Sequence, residues 1–181
     1  MLKKVLLFVS LAALGLMGCE QQSASVGQAT TNVIAAGEPG SGLPDFNVKD
    51  LQGHEISSTG LRGRVVLIDF WATWCQPCKK EMPGYQKLAE RYGSRGLVVI
   101  GFKFDTMADT EDPVQFARKI GVRYALGVAS EELKQKFGGI EGLPTTLLYD
   151  RKGILRKKVI GFEPTETFES ALKPLLENKS Q

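Results

Sequence analysis

The chain has 181 residues, with 23 Lys and Arg against 20 Asp and Glu and only three cysteines. Setting aside a leader-like segment, residues 1–18, leaves 163 residues carrying a net charge of +1, enough for one domain with a sizeable core. That balance gives no basic excess of the kind nucleic-acid binding requires.

Met1-Leu2-Lys3-Lys4 is a small basic region followed by an apolar run from Val5 to Leu16. The run suits a signal segment and is short for a bilayer-spanning helix, which needs about 20 apolar residues. It ends in Leu16-Met17-Gly18-Cys19, which resembles a lipoprotein cleavage box and makes Cys19 the expected lipidated first residue of the mature protein. Stable attachment takes more than one acyl chain, because a single chain binds a membrane only marginally. Residues 19–42 then read as the lipidated N-terminus and a flexible Gln/Ser/Ala/Gly-rich linker, with a root-mean-square reach of about 25–30 Å.

From Leu43 the pattern becomes that of a folded domain spanning 43–181. Asp45–Val48 and Glu55-Ile56 around Asp50–Gly53 predict a small β-hairpin. Val65–Trp71 is an apolar run interrupted only by Asp69, as in a central buried strand. Met82, Tyr85, Leu88, Ala89 and Tyr92 recur at helical spacing up to Gly93, with Pro83 expected to kink that helix. Leu97–Phe102 is a second buried strand. Asp112-Pro113 signals a helix start, running to Ile120 and stopping at Gly121. Tyr124–Val128 reads as a strand, and Ser130 as the cap of a helix ending at Gly138-Gly139. Thr145–Tyr149 and Ile154–Ile160 flank the turn Asp150–Gly153 as an antiparallel pair. Phe168, Ala171, Leu172, Leu175 and Leu176 mark a last amphipathic helix that Pro174 is expected to bend or shorten. This order is that of an α/β thioredoxin fold, with an N-terminal hairpin extension and a helix-strand insertion between Phe104 and Glu141.

The chemistry concentrates at Trp74-Cys75-Gln76-Pro77-Cys78, between the first buried strand and its helix. Residues i and i+3 at a helix start share a face, so the two sulfurs can reach disulfide geometry. Cys75 would occupy the helix N-terminus, where free N–H groups and the macrodipole favour a thiolate, and Cys78 would resolve the mixed disulfide. Other readings of the pair are weaker. Zinc needs about four ligands and the chain adds only His54. Covalent haem attachment needs His where Lys79 stands. An inert structural disulfide would constrain so short a loop little.

Asp69-Phe70-Trp71-Ala72-Thr73-Trp74-Cys75-Gln76-Pro77-Cys78-Lys79-Lys80-Glu81 and Gly142-Leu143-Pro144-Thr145-Thr146 resemble the extracytoplasmic thioredoxin-like family typified by TlpA and ResA. The resemblance covers residues 43–177. It implies a membrane-tethered, periplasmic thiol-disulfide oxidoreductase that reduces partner disulfides, with apocytochrome c among its substrates, and draws electrons from a membrane thiol-disulfide donor. No cofactor is implied. By the same resemblance, Pro144 is a cis proline facing the sulfurs and exposes the Leu143 backbone to an extended substrate. Asp69 matches the buried acid of thioredoxins, and burial should raise its pKa so that it accepts the Cys78 proton. Glu81 matches an acidic active-site residue of ResA-type proteins; an exposed glutamate near a helix N-terminus explains it equally well. Trp71 and Trp74 divide between core packing and shielding of the disulfide. Lys79 and Lys80 read as a solvated face, and His54 as incidental, without a partner. The intervening Gln76-Pro77 lacks a cation, so the expected potential lies nearer thioredoxin (about −270 mV) than DsbA (about −120 mV). Two further functions stay open at this point: a thiol peroxidase, and a non-catalytic lipoprotein binding module.

Overall fold

The computed structural model describes residues 35–104 and 111–177. Its central strand follows from composition. β3 (Val65–Trp71) has all seven residues buried, which requires neighbours on both edges and a layer on both faces. β4 (Leu97–Phe104) pairs parallel to one edge, in register from Val65↔Leu97 to Trp71↔Lys103. β6 (Thr145–Tyr149) pairs antiparallel to the other, with Asp69 opposite Thr146. β5 (Ala125–Ala129) lies parallel outside β4, and β7 (Leu155–Ile160) antiparallel outside β6, giving the order β5-β4-β3-β6-β7.

One face is covered by α1 (Gln76–Tyr92), α2 (Pro113–Lys119) and α4 (Thr165–Glu177). Its core joins Leu67, Trp71, Met82, Tyr85, Phe116, Phe168 and Leu172, with the Trp71 and Phe116 rings stacked at 5.3 Å. On the other face, α3 (Glu131–Lys136) and the N-terminal ribbon of β1 (Asn47–Lys49) and β2 (Glu55–Ser57) cover Ile68, Phe70, Phe102 and Phe137. The Phe70 and Phe137 rings meet edge-on at 5.4 Å. This is the thioredoxin fold with its hairpin extension; α2, β5 and α3 form the insertion, and β5 becomes a sheet edge. The ribbon protects that edge through Leu51 N–H, which donates to the Leu126 carbonyl at 2.7 Å.

Capping residues act as their types dictate. Asp112 accepts the Gln115 N–H at 2.8 Å and Ser130 the Leu133 N–H at 3.1 Å. Neither Pro83 nor Pro174 ends its helix: α1 continues to Tyr92 and α4 to Glu177. The hairpin begins at Asn47 because Phe46 turns into the core, its N–H bonded to the Ser58 hydroxyl at 3.2 Å. The chain is held against β7 already at Gly40, whose N–H donates to the Leu155 carbonyl at 2.8 Å.

Gly84 sets how closely α1 meets the start of α4. A Cβ there would lie 1.9 Å from Thr165 Oγ1. Gly84→Ala should therefore cost about 1–3 kcal/mol as an overpacked contact, measured by urea unfolding. Adding Thr165→Ala should recover part of the loss; no recovery would place the cost elsewhere.

Candidate active site

β3 ends at Trp71, and the buried residues Ala72 and Thr73 lead into α1. Cys75 is the N-cap, and its sulfur accepts the Cys78 N–H at 3.2 Å. Pro77 falls in the first turn, where its missing N–H is no loss. The two sulfurs are joined in a disulfide of 1.99 Å, with Cα atoms 5.3 Å apart. Cys75 is 3% exposed and Cys78 fully buried, so the capping sulfur is the one nearer solvent, though only slightly. The first turn of α1 contains no acid, which leaves the positive end of the helix uncompensated beside Cys75.

The site's electrostatics are set by two buried carboxyls. Asp69 lies on the α1 face of β3, fully buried, and Glu81, one turn beyond Cys78, is also buried. Among the described residues none of their four oxygens has a hydrogen-bond partner at normal geometry. Burial pushes the Asp69 carboxyl up to about 7, with Glu81 and Thr146 near enough to oppose the rise. Burial also lifts Glu81, to about 9, and the charge of Asp69 adds to that rise. Two acids in one dry site cannot both ionise cheaply, so they titrate as a unit. Around them Tyr85 Oη meets Thr146 Oγ1 at 3.1 Å, and the Tyr124 hydroxyl is buried with no partner among the described residues. Burial, then the Asp69 charge, drives both phenols well above their ordinary range.

At the start of β6 the Leu143–Pro144 peptide is cis. The Pro144 carbonyl accepts the Gly161 N–H at 2.7 Å, tying this loop to the end of β7. Leu143 packs against the same core cluster as both cysteines. Trp71 is buried in the core, whereas Trp74 is 47% exposed. Ile160 and Phe162, beside Pro144, are likewise half exposed.

The structure thus gathers Asp69, Trp74, Cys75, Cys78, Glu81, Leu143 and Pro144 at one end of the sheet. One sequence alternative falls away and one reading needs correction. Of the two explanations of Glu81, the exposed helix glutamate is excluded, because the residue is buried beside Asp69. His54 has a partner, since its Nδ1 lies 3.1 Å from Asp50 Oδ2 in the β1–β2 turn. Lys79 places its ammonium over the Phe116 ring, 5.5 Å from the centroid, and Lys80 is exposed. Cys19 lies outside the described residues. Sequence reasoning passed over Tyr85, Tyr124 and Thr146, whose polar groups face the acids. Only the hydroxyls in otherwise apolar patterns could have marked them.

A disulfide at a helix tip, backed by protonatable carboxyls and flanked by a cis proline on this scaffold, defines a thiol-disulfide oxidoreductase of the thioredoxin fold. Comparison with known proteins agrees. Residues 39–158 match the AhpC/TSA family, and the chain belongs to it. The thiol-disulfide oxidoreductase ResA of Bacillus thuringiensis (strain Al Hakam) is 32% identical over 137 residues, covering 75% of this chain and 78% of that protein. The thioredoxin-like protein YneN of Bacillus subtilis (strain 168) is 30% identical over 136 residues, covering 75% and 79%. Among solved structures, a putative thiol:disulfide interchange protein DsbE from Chlorobium tepidum superposes with a TM-score of 0.69 at 27% identity, covering 77% of this chain and 98% of that one.

The acid pair has a thermodynamic signature. Carboxyls whose folded pKa is raised bind more protons in the folded state, so their contribution is complete below about pH 4 and is lost as pH rises through about 7 to 9. Unfolding free energy of the oxidised protein should fall between pH 5 and 9, and Asp69→Asn should flatten that decline and leave the variant more stable than the parent at pH 8. Urea titrations across this range check it; parallel curves would remove the pair from the explanation.

Proposed function

We propose that the protein is a lipid-anchored, extracytoplasmic reductant of protein disulfides, held by Cys19 and joined by the segment after it to a domain that is already docked at Gly40. The observation that carries the catalytic reading is the Cys75–Cys78 disulfide at the α1 tip above the buried Asp69–Glu81 pair. The anchor rests on the apolar leader and the Gly18-Cys19 junction. Among the described residues no helix is long and apolar enough to cross a membrane.

In the reduced protein, the Cys75 thiolate attacks one sulfur of a substrate disulfide. A Cys75–substrate disulfide forms and the substrate's second sulfur leaves as a thiolate, which takes a proton. Cys78 then gives its proton to Asp69 and attacks the Cys75 sulfur. The Cys75–Cys78 disulfide forms and the first substrate sulfur is released as a thiol. Two electrons and two protons pass to the substrate, and a membrane thiol-disulfide donor restores the dithiol.

Asp69 can accept that proton because burial has moved its affinity into the neutral range. Glu81 acts on Asp69, holding the shared proton when Asp69 is charged. Trp74, Leu143 and Pro144 contact the substrate chain, a role supported by the exposure of Trp74 beside the sulfurs. Apocytochrome c, with its paired thiols, is one substrate that fits; cytochrome c maturation is then the setting.

The AhpC/TSA match favours one other reading, a thiol peroxidase. The close cysteine pair suits exchange better than peroxide capture. Cys78→Ser should accumulate mixed disulfides through Cys75, and mass spectrometry of the trapped species should identify envelope proteins. Cys75→Ser should reduce insulin no faster than dithiothreitol alone. Peroxide consumption well above background, with no insulin reduction, would transfer the assignment to the peroxidase. Equilibration with glutathione should place the potential nearer about −270 than −120 mV; a value at the upper end would reverse the direction of transfer.

A further inference from the structure

A second polar feature lies at the opposite end of the sheet. Where Val66 enters β3, a cavity of about 260 Å³ opens between the Gly42–Asp45 segment, the Leu61–Arg64 loop and the β6–β7 turn at Asp150–Gly153. Arg62, Arg64, Arg151 and Lys152 line it, against Asp45 and Asp150. The segment 19–181 carries a net charge of only +1, so this gathering of cations is local.

The acids do not cancel it. The Asp150 carboxylate is already engaged by Arg156 at 2.6 Å and by the Lys152 and Ile154 N–H groups. Arg62, Arg64 and Lys152 are exposed and have no carboxylate partner among the described residues. Arg151 is fixed rather than paired. Its guanidinium donates to the carbonyls of Gly63 at 2.9 Å, Arg95 at 2.8 Å and Leu176 at 3.2 Å, which hold its position without removing its charge. Its Nε is buried and has no acceptor among the described residues. The cavity is smaller than the roughly 300–1,000 Å³ of pockets that enclose drug-sized ligands, which points to a small anion or headgroup.

We propose that this cavity binds a phosphate ester of a small polyol. Guanidinium forks and a mobile ammonium match the several oxygens of a phosphate. Asp45, at the cavity edge, accepts the Ser58 hydroxyl with one oxygen at 3.2 Å and can accept an alcohol hydroxyl as well. That feature favours an esterified polyol over a simple inorganic anion. The same chemistry is offered by an anionic phospholipid headgroup and by a soluble glycerol phosphate. If the headgroup is the source, the domain docks with this end on the membrane and the disulfide toward incoming substrates, and it releases the headgroup to meet the membrane donor. The inference stands apart from the exchange mechanism, because neither set of residues touches the other.

The test uses the full-length oxidised chain and two probes at constant ionic strength: phosphatidylcholine vesicles with and without phosphatidylglycerol, and sn-glycerol 3-phosphate by titration calorimetry. The variant is Arg62→Glu with Arg64→Glu. The control is Lys87→Glu with Lys173→Glu, which changes net charge equally on the helical face. Retention of insulin reduction by the variant shows that it folds. Preference for phosphatidylglycerol vesicles that weakens at least about tenfold in the variant and not in the control, with no calorimetric binding of glycerol phosphate, supports the headgroup source. Binding of glycerol phosphate that the variant loses and the control keeps supports the soluble ester. Equal weakening in variant and control, or no binding beyond that of chloride, overturns the proposal.

Discussion

The mutual burial of Asp69 and Glu81 is the constraint on which the site depends. A carboxylate in an apolar interior is costly, and two side by side are costlier still, so the fold holds at least one of them protonated near neutrality. The rest of the scaffold makes this arrangement unavoidable. β3 is buried on both faces, so Asp69 has no route to solvent. α1 crosses directly over it, because the same turn that places Cys75 at the helix cap carries Glu81 inward one turn past Cys78. On the far face the rings of Phe46, Phe70, Phe102 and Phe137 pack against one another.

From that constraint follows a division of labour along the sheet. At the carboxyl end of β3, the helix dipole and burial act together: in the mechanism we propose, the dipole favours a Cys75 thiolate at the cap, and burial raises the proton affinity of Asp69 beneath it. At the amino end of β3 the surface is cationic and solvent-facing, with Arg151 bracing three backbone segments that meet there. Each end has the polarity its position allows. The redox end is dry and edged by half-exposed apolar side chains, Trp74, Ile160 and Phe162, whereas the other end is wet and charged.

Much of this was legible in the residues. The apolar run of β3 pointed to a doubly covered strand, and Asp69 stood out within it as the one acid. Asp112 and Ser130 announced their helices through side-chain acceptors that the structure shows in use. Glu81 was half legible: helical spacing places it three residues after Cys78 and four before Tyr85, on the face that the structure buries, while its charge and its neighbours Lys79 and Lys80 read equally well as a solvated surface. Thr146 and Tyr85, far apart in sequence, meet only after β6 pairs with β3. Pro83 and Pro174 lie inside α1 and α4, as the helical spacing around them implied. His54 finds Asp50 because the hairpin turn folds back on itself, which residue type alone does not specify.

The account is tested most directly by the pH dependence of thiol alkylation in the reduced protein, with iodoacetamide labelling of each cysteine followed by mass spectrometry. Cys75 should react first, with an apparent pKa below the ordinary thiol value of about 8.5, while Cys78 stays protected until higher pH. Equal and slow labelling of both sulfurs at neutral pH would contradict it.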